Sequence, residues 1–129
     1  MKKNGTDILI VDDQSGVRIL LATAFEERGY KVAVAVNGKD GVDKAKKLKP
    51  GLIMMDIKMP VLDGVTALYK IKENNKNQKV IMMSAYGDAQ TIEKIKKTGA
   101  LFIAKPFDLK CVLDYVDSIL KAGDLESLA

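Results

Sequence analysis

The sequence has no histidine and only one cysteine, Cys111, in 129 residues. Without imidazole there is no Ser-His-Asp or Cys-His nucleophile and no histidine metal ligand. A lone cysteine forms no internal disulfide, which agrees with a reducing compartment. Any metal site must therefore be built from oxygen, which suits a hard cation such as Mg²⁺. No segment approaches the roughly 20 apolar residues that span a bilayer. The N-terminal MKKNGTD is followed by no apolar stretch of signal-peptide length. These absences lead us to expect a cytoplasmic protein with no membrane contact.

What is present reads as one domain, with 47% hydrophobic and 29% charged residues. The formal charge is +4 and the pI about 9.1. The lysines behind that charge are spread as Lys44, Lys46, Lys47 and Lys49, then Lys94, Lys96 and Lys97, within segments of amphipathic helical character. Zinc-finger spacing and aromatic RNA-binding motifs are both missing. Solvated helix faces account for the lysines, and no nucleic-acid partner is expected.

Five β-like runs alternate with five helical ones. The strands are expected at Asp7–Asp12, Lys31–Val36, Gly51–Asp56, Lys79–Ser84 and Leu101–Ala104. The runs LIV, LIMM and VIMM are continuously apolar, as in parallel strands covered on both faces. Helices are expected near 15–28, 38–48, 63–74, 88–97 and 108–121. The last has the clearest periodicity, with Leu109, Val112, Leu113, Val116 and Leu120 on one face and Asp108 placed to cap it. Gly29 and Gly99 follow helices that they are suited to stop. A domain over 1–122 with a frayed tail at 123–129 is expected, and no output domain.

This alternation implies a doubly wound parallel sheet with right-handed crossovers. In such sheets ligands bind outside the carboxyl ends of the strands. Asp12 and Asp13 follow the first strand there, Asp56 ends the third, Ser84 ends the fourth, and Lys105-Pro106 follows the fifth. Singly, each has an ordinary explanation: Asp13 as a helix cap, Ser84 as a loop residue, Lys105 as a surface lysine. Together they place three carboxylates, a hydroxyl and an ammonium on one rim. Crowded carboxylates repel unless a cation relieves them. Mg²⁺, which accepts carboxylate and phosphate oxygens, suits this set, and with Lys105 and Ser84 makes a receptor for a phosphoryl group.

With DD, D, S and K-P in this order over essentially the whole chain, the sequence resembles the receiver domains of bacterial two-component response regulators. That resemblance implies a (βα)5 flavodoxin-like fold with strand order 2-1-3-4-5. It implies Asp56 as phosphoacceptor from a sensor histidine kinase, with phosphorylation self-catalysed rather than enzymatic in the usual sense. Asp12, Asp13, Asp56 and the backbone carbonyl of Lys58 would hold Mg²⁺, or Mn²⁺ in its place. Ser84 and Lys105 would contact the phosphoryl group, across a cis Lys105-Pro106 bond. Phe102 occupies the place of the family's switch aromatic; an ordinary core phenylalanine is the equal alternative.

The run ILIVDDQSGVRILL, with KPFD, is similar to single-domain receivers of Bacillus-type sporulation phosphorelays. This implies onward transfer to a histidine-bearing phosphotransferase by a monomer, with a phosphatase as a further partner. Carried over by position, the partner surface comprises Gln14, Gly16, Val17, Leu20, Lys58, Tyr86, Pro106 and Phe107, with Arg18 as a polar contact. On a helical wheel Val17, Leu20, Leu21, Ala24 and Phe25 form one apolar stripe, with Ile19 nearly opposite. Lys58 and Tyr86, two residues beyond Asp56 and Ser84, are placed to shield an acyl phosphate, so slow hydrolysis is expected. The competing readings are a chemotaxis-type receiver, which signals by binding alone, and a haloacid-dehalogenase-like phosphatase. The phosphatase needs DxDx[TV] on the first strand, where this chain has DDQSG.

Overall fold

A computed structural model describes residues 5–85 and 87–128, except for the side chains of 122–128. The elements are β1 (Ile8–Val11), α1 (Ser15–Glu27), β2 (Val32–Ala35), α2 (Gly38–Leu48), β3 (Leu52–Asp56), α3 (Gly64–Asn74), β4 (Val80–Ser84), α4 (Ala89–Lys97), β5 (Leu101–Ala104) and α5 (Leu109–Leu128). All four strand pairings are parallel, in the order β2-β1-β3-β4-β5.

The continuous apolar runs have the expected cause. Residues alternate across each inner strand, so each strand supplies both layers. Leu9, Val11, Ile53, Met55 and Met82 face one core, together with Ala45, Leu68, Ile71 and Ile95 from α2, α3 and α4. Ile8, Ile10, Leu52, Met54, Ile81 and Met83 face the other, against Leu21 and Phe25 of α1 and Val112, Val116 and Leu120 of α5. Burying each large side chain contributes about 1.5–3 kcal/mol. Phe25→Ala would remove the fully buried ring that also meets Tyr30 edge-on at 6.1 Å.

Side-chain caps set several helix starts. Asn37, Asp63 and Asp88 accept from Asp40 N, Thr66 N and Thr91 N. Asp108 Oδ1 accepts from Lys110 N and Cys111 N. Gly29 and Gly99 take φ of +93° and +87° just beyond α1 and α4.

Three expectations change. Asp13 does not cap α1; Gln14 stands at that position and makes no side-chain cap bond. Leu20, on the apolar stripe but also on the expected partner surface, is 49% exposed. The wheel gave the apolar arc but not its centre, which is Leu21 and Phe25; Leu20 lies about 100° before Leu21 and joins Ile19 on the open side. Finally, α5 runs to Leu128, through the expected tail. A single interior glycine, Gly123, costs only about 1 kcal/mol and no proline interrupts the segment.

Candidate functional site at the carboxyl ends of the strands

Strand register assembles the rim. Val11 pairs with Met55 across β1 and β3, so Asp12 and Asp56 are each the next residue on neighbouring strands. Asp56 pairs with Met83, which puts Ser84 one residue further along β4. Ser84 pairs with Ala104, and Lys105 N donates to Ser84 O at 2.9 Å. Lys105 is thus pinned to the same rim, with a cis bond to Pro106.

Asp12, Asp13 and Asp56 each offer an oxygen within 4.8 Å of the others. Asp12 is fully buried and Asp56 nearly so, whereas Asp13 is exposed. Asp12 Oδ1 accepts from Gln14 N at 2.9 Å, and Asp56 Oδ1 accepts from Ile57 N at 2.9 Å. Lys105 Nζ lies 3.4 Å from Asp12 Oδ2 and 3.7 Å from Asp56 Oδ1. Gly64 abuts the rim from α3. A Cβ there would lie 2.2 Å from Asp56 O, so only glycine admits this approach.

The cluster concentrates negative charge. Carboxylates within 4.8 Å of one another repel by about 3.5 kcal/mol or more per pair at an effective dielectric near 20. Burial pushes the Asp56 carboxyl above the usual 3.8; Lys105 pulls it down, and Asp12 adds to the upward shift. An all-oxygen donor set that is crowded and partly buried fits a hard divalent cation.

Not every expected residue converges here. Gln14, Gly16 and Leu20 are exposed and Val17 is half-buried on α1, beside the rim. Pro106 is exposed, while Phe107 is half-buried and packs into the α1–α5 core. Lys58 is exposed two residues beyond Asp56. Tyr86 lies outside the described residues. Phe102 is half-buried against the other core, and its Cζ would stand 3.0 Å from a Cβ at Gly87, so its ring occupies the space beneath the β4–α4 loop. Arg18 differs most from expectation. Instead of standing off as a surface contact it turns inward, and Nη1 donates to the backbone oxygen of Asp12 at 2.7 Å. Nothing in the local sequence marks that contact, because it depends on how α1 enters from the loop.

A model of the response regulator receiver domain matches residues 8–117. The chain belongs to the receiver domain family. It is 43% identical over 114 residues to sporulation initiation phosphotransferase F of Bacillus subtilis, covering 88% of this chain and 92% of that one. It is 44% identical over 126 residues to chemotaxis protein CheY of Treponema pallidum, covering 93% and 88%. Among solved structures, a CheY-like receiver from Methanospirillum hungatei superposes with a TM-score of 0.89 at 27% identity, covering 95% of this chain and 98% of that one. A CheX–CheY complex of Borrelia burgdorferi with BeF3 and Mg²⁺ gives 0.82 at 36% identity, covering 88% of each chain. Receiver domains act as phosphoacceptors in signalling, bind Mg²⁺ at an acidic pocket, and interact with histidine kinases, phosphotransferases and other partners. None of the helices among the described residues is long and apolar enough to cross a membrane.

Proposed function

We propose that this receiver domain is a phosphorelay intermediate, taking a phosphoryl group from a histidine kinase onto Asp56 and passing it to a histidine-bearing phosphotransferase. The observation that carries the first half is Asp56 at the end of β3, with Asp12 and Asp13 oxygens within 4.8 Å and Lys105 beside it. An Asp56 carboxylate oxygen attacks the phosphorus of the partner's phosphohistidine. The P–N bond breaks, a P–O bond forms, and the imidazole keeps the electron pair. Asp12, Asp13, Asp56 and the Lys58 carbonyl would hold Mg²⁺, which supplies charge neutralisation for the phosphoryl oxygens. Lys105 brings its ammonium to the same oxygens and Ser84 offers its hydroxyl. Transfer of this kind needs positioning and charge stabilisation more than further covalent chemistry.

The relay half is supported by the likeness to sporulation initiation phosphotransferase F. Ile19 and Leu20 also stand exposed as neighbouring apolar residues on α1, the helix that follows Asp12 and Asp13. A second reading, a chemotaxis-type receiver that signals by phosphorylation-dependent binding, is favoured by the 44% identity to a CheY. The test is phosphotransfer in two steps. Wild type and Asp56→Ala are incubated with a histidine kinase, labelled ATP and Mg²⁺, then with a histidine phosphotransferase. Labelled Asp56→Ala would remove the acceptor assignment. Stable label on wild type that no phosphotransferase accepts would favour the second reading.

A further inference from the structure

Arg18 carries a role that a surface contact does not describe. Its backbone nitrogen bonds to Gln14 O at 3.1 Å, in the first turn of α1. Its side chain reaches back to Asp12 O at 2.7 Å and is partly buried. Asp12 N donates to Ala35 O at 3.2 Å, Oδ1 accepts from Gln14 N, and Oδ2 faces Lys105. Arg18 thus supplies the partner of the one remaining polar group of Asp12, the carbonyl. That carbonyl belongs to the planar peptide joining Asp12 to Asp13. Holding the oxygen holds the plane, and with it the direction in which Asp13 leaves. Asp13 is the exposed member of the triad, so its place depends on that plane.

From this geometry we infer that Arg18 is a positioning residue for the Asp12–Asp13 pair, coupling helix α1 to the metal-binding rim. This rests on the Mg²⁺ reading above and adds a residue that is itself no ligand. The structure sets two effects of Arg18 against each other. Its positive charge stands beside a cation site and opposes binding. Its charge-assisted hydrogen bond presets the ligand geometry and favours binding. The inference is that positioning wins. It also gives the α1 face a second role, since a partner that draws Arg18 off the Asp12 carbonyl loosens the metal site by the same coupling.

The two effects have opposite signs, so Mg²⁺ titration calorimetry separates them. Wild type, Arg18→Met and Arg18→Lys are compared at low and high salt, with circular dichroism in the absence of metal as the folding control. Loss of an outer-shell partner weakens metal binding by roughly tenfold, and that is expected for Arg18→Met, with Arg18→Lys in between because it keeps one donor. The loss should persist at high salt. Equal or tighter binding by Arg18→Met overturns the inference and leaves Arg18 a bystander or a simple electrostatic opponent. Should Arg18→Met fail to fold, the Arg18→Lys comparison decides alone: affinity equal to wild type at both salts overturns the inference. If wild type takes up no Mg²⁺ while folded, the metal reading itself fails, and this inference fails with it.

Discussion

Among the described residues, two carboxylate clusters are built to opposite ends. At the rim, Asp12, Asp13 and Asp56 crowd together, and the Lys105 ammonium lies 3.4 Å from Asp12 and 3.7 Å from Asp56. Between α1 and α5, Asp114 and Asp117 meet Arg28 Nη1 at 3.0 and 2.5 Å, and Tyr30 Oη donates to Asp117 Oδ1. Their acidity moves in opposite directions. Burial raises Asp56. Burial also raises Asp117, but donation from Tyr30 and Arg28 outweighs it and leaves that carboxyl below its usual value. The α1–α5 cluster has its donors within the fold and holds two helices together. The rim cluster gathers three carboxylates at one open edge, an arrangement that suits a bound cation. Acidic residues near one another therefore say little; their setting in the fold tells a site from a brace.

The largest separation should appear in phosphoryl acceptance. Asp56→Ala is expected to lose all labelling by a histidine kinase, and Asp117→Ala to keep it, as judged by label retained after gel separation. Next is the response to metal. Mg²⁺ at 10 to 100 times Kd should stabilise wild type by about 1.4 to 2.7 kcal/mol. Asp12→Asn should lose that gain and Asp117→Asn retain it, read as the Mg²⁺-dependent shift in melting temperature. Equal shifts in both variants would erase the distinction between the clusters.

A smaller effect is expected in stability without metal. Asp117→Asn should cost about 1 kcal/mol by urea denaturation, since the ion pair is partly exposed and such pairs contribute little. A double-mutant cycle with Arg28→Met should show coupling between the two. The smallest effect is its pH dependence. The folded Asp117 pKa lies below the usual 3.8, so the ionised group contributes stability above that value and loses it as pH falls through the folded pKa. The gap between wild type and Asp117→Asn should therefore close as pH drops below 3.8. A gap that stays constant to pH 2 would assign the difference to packing.

These clusters were not equally visible in advance. The rim was legible because each residue ends or follows an apolar strand, and parallel βα units bring strand ends together regardless of the residues between them. The brace was not, because Arg28 is 86 residues from Asp114 and neither interrupts a pattern. The same limit explains Leu20 and Arg18. Helical periodicity orders side chains around an axis but does not say where the sheet stands relative to it. Leu20, placed both on the apolar stripe and on the expected partner surface, is half exposed, and Arg18, expected as a polar surface contact, also reaches in to Asp12.

By itself the sequence determined the alternation of strands and helices, the two-sided burial of the inner strands, and the Asp12, Asp13, Asp56, Ser84 and Lys105 set. Those follow from local periodicity and from the chain direction that parallel pairing imposes. Tertiary structure alone decided which donors face which carboxylates: Lys105 across the rim, Arg18 on the Asp12 carbonyl, Arg28 and Tyr30 on α5. Such contacts depend on how helices rotate and settle on the sheet, a choice made by packing the whole core at once.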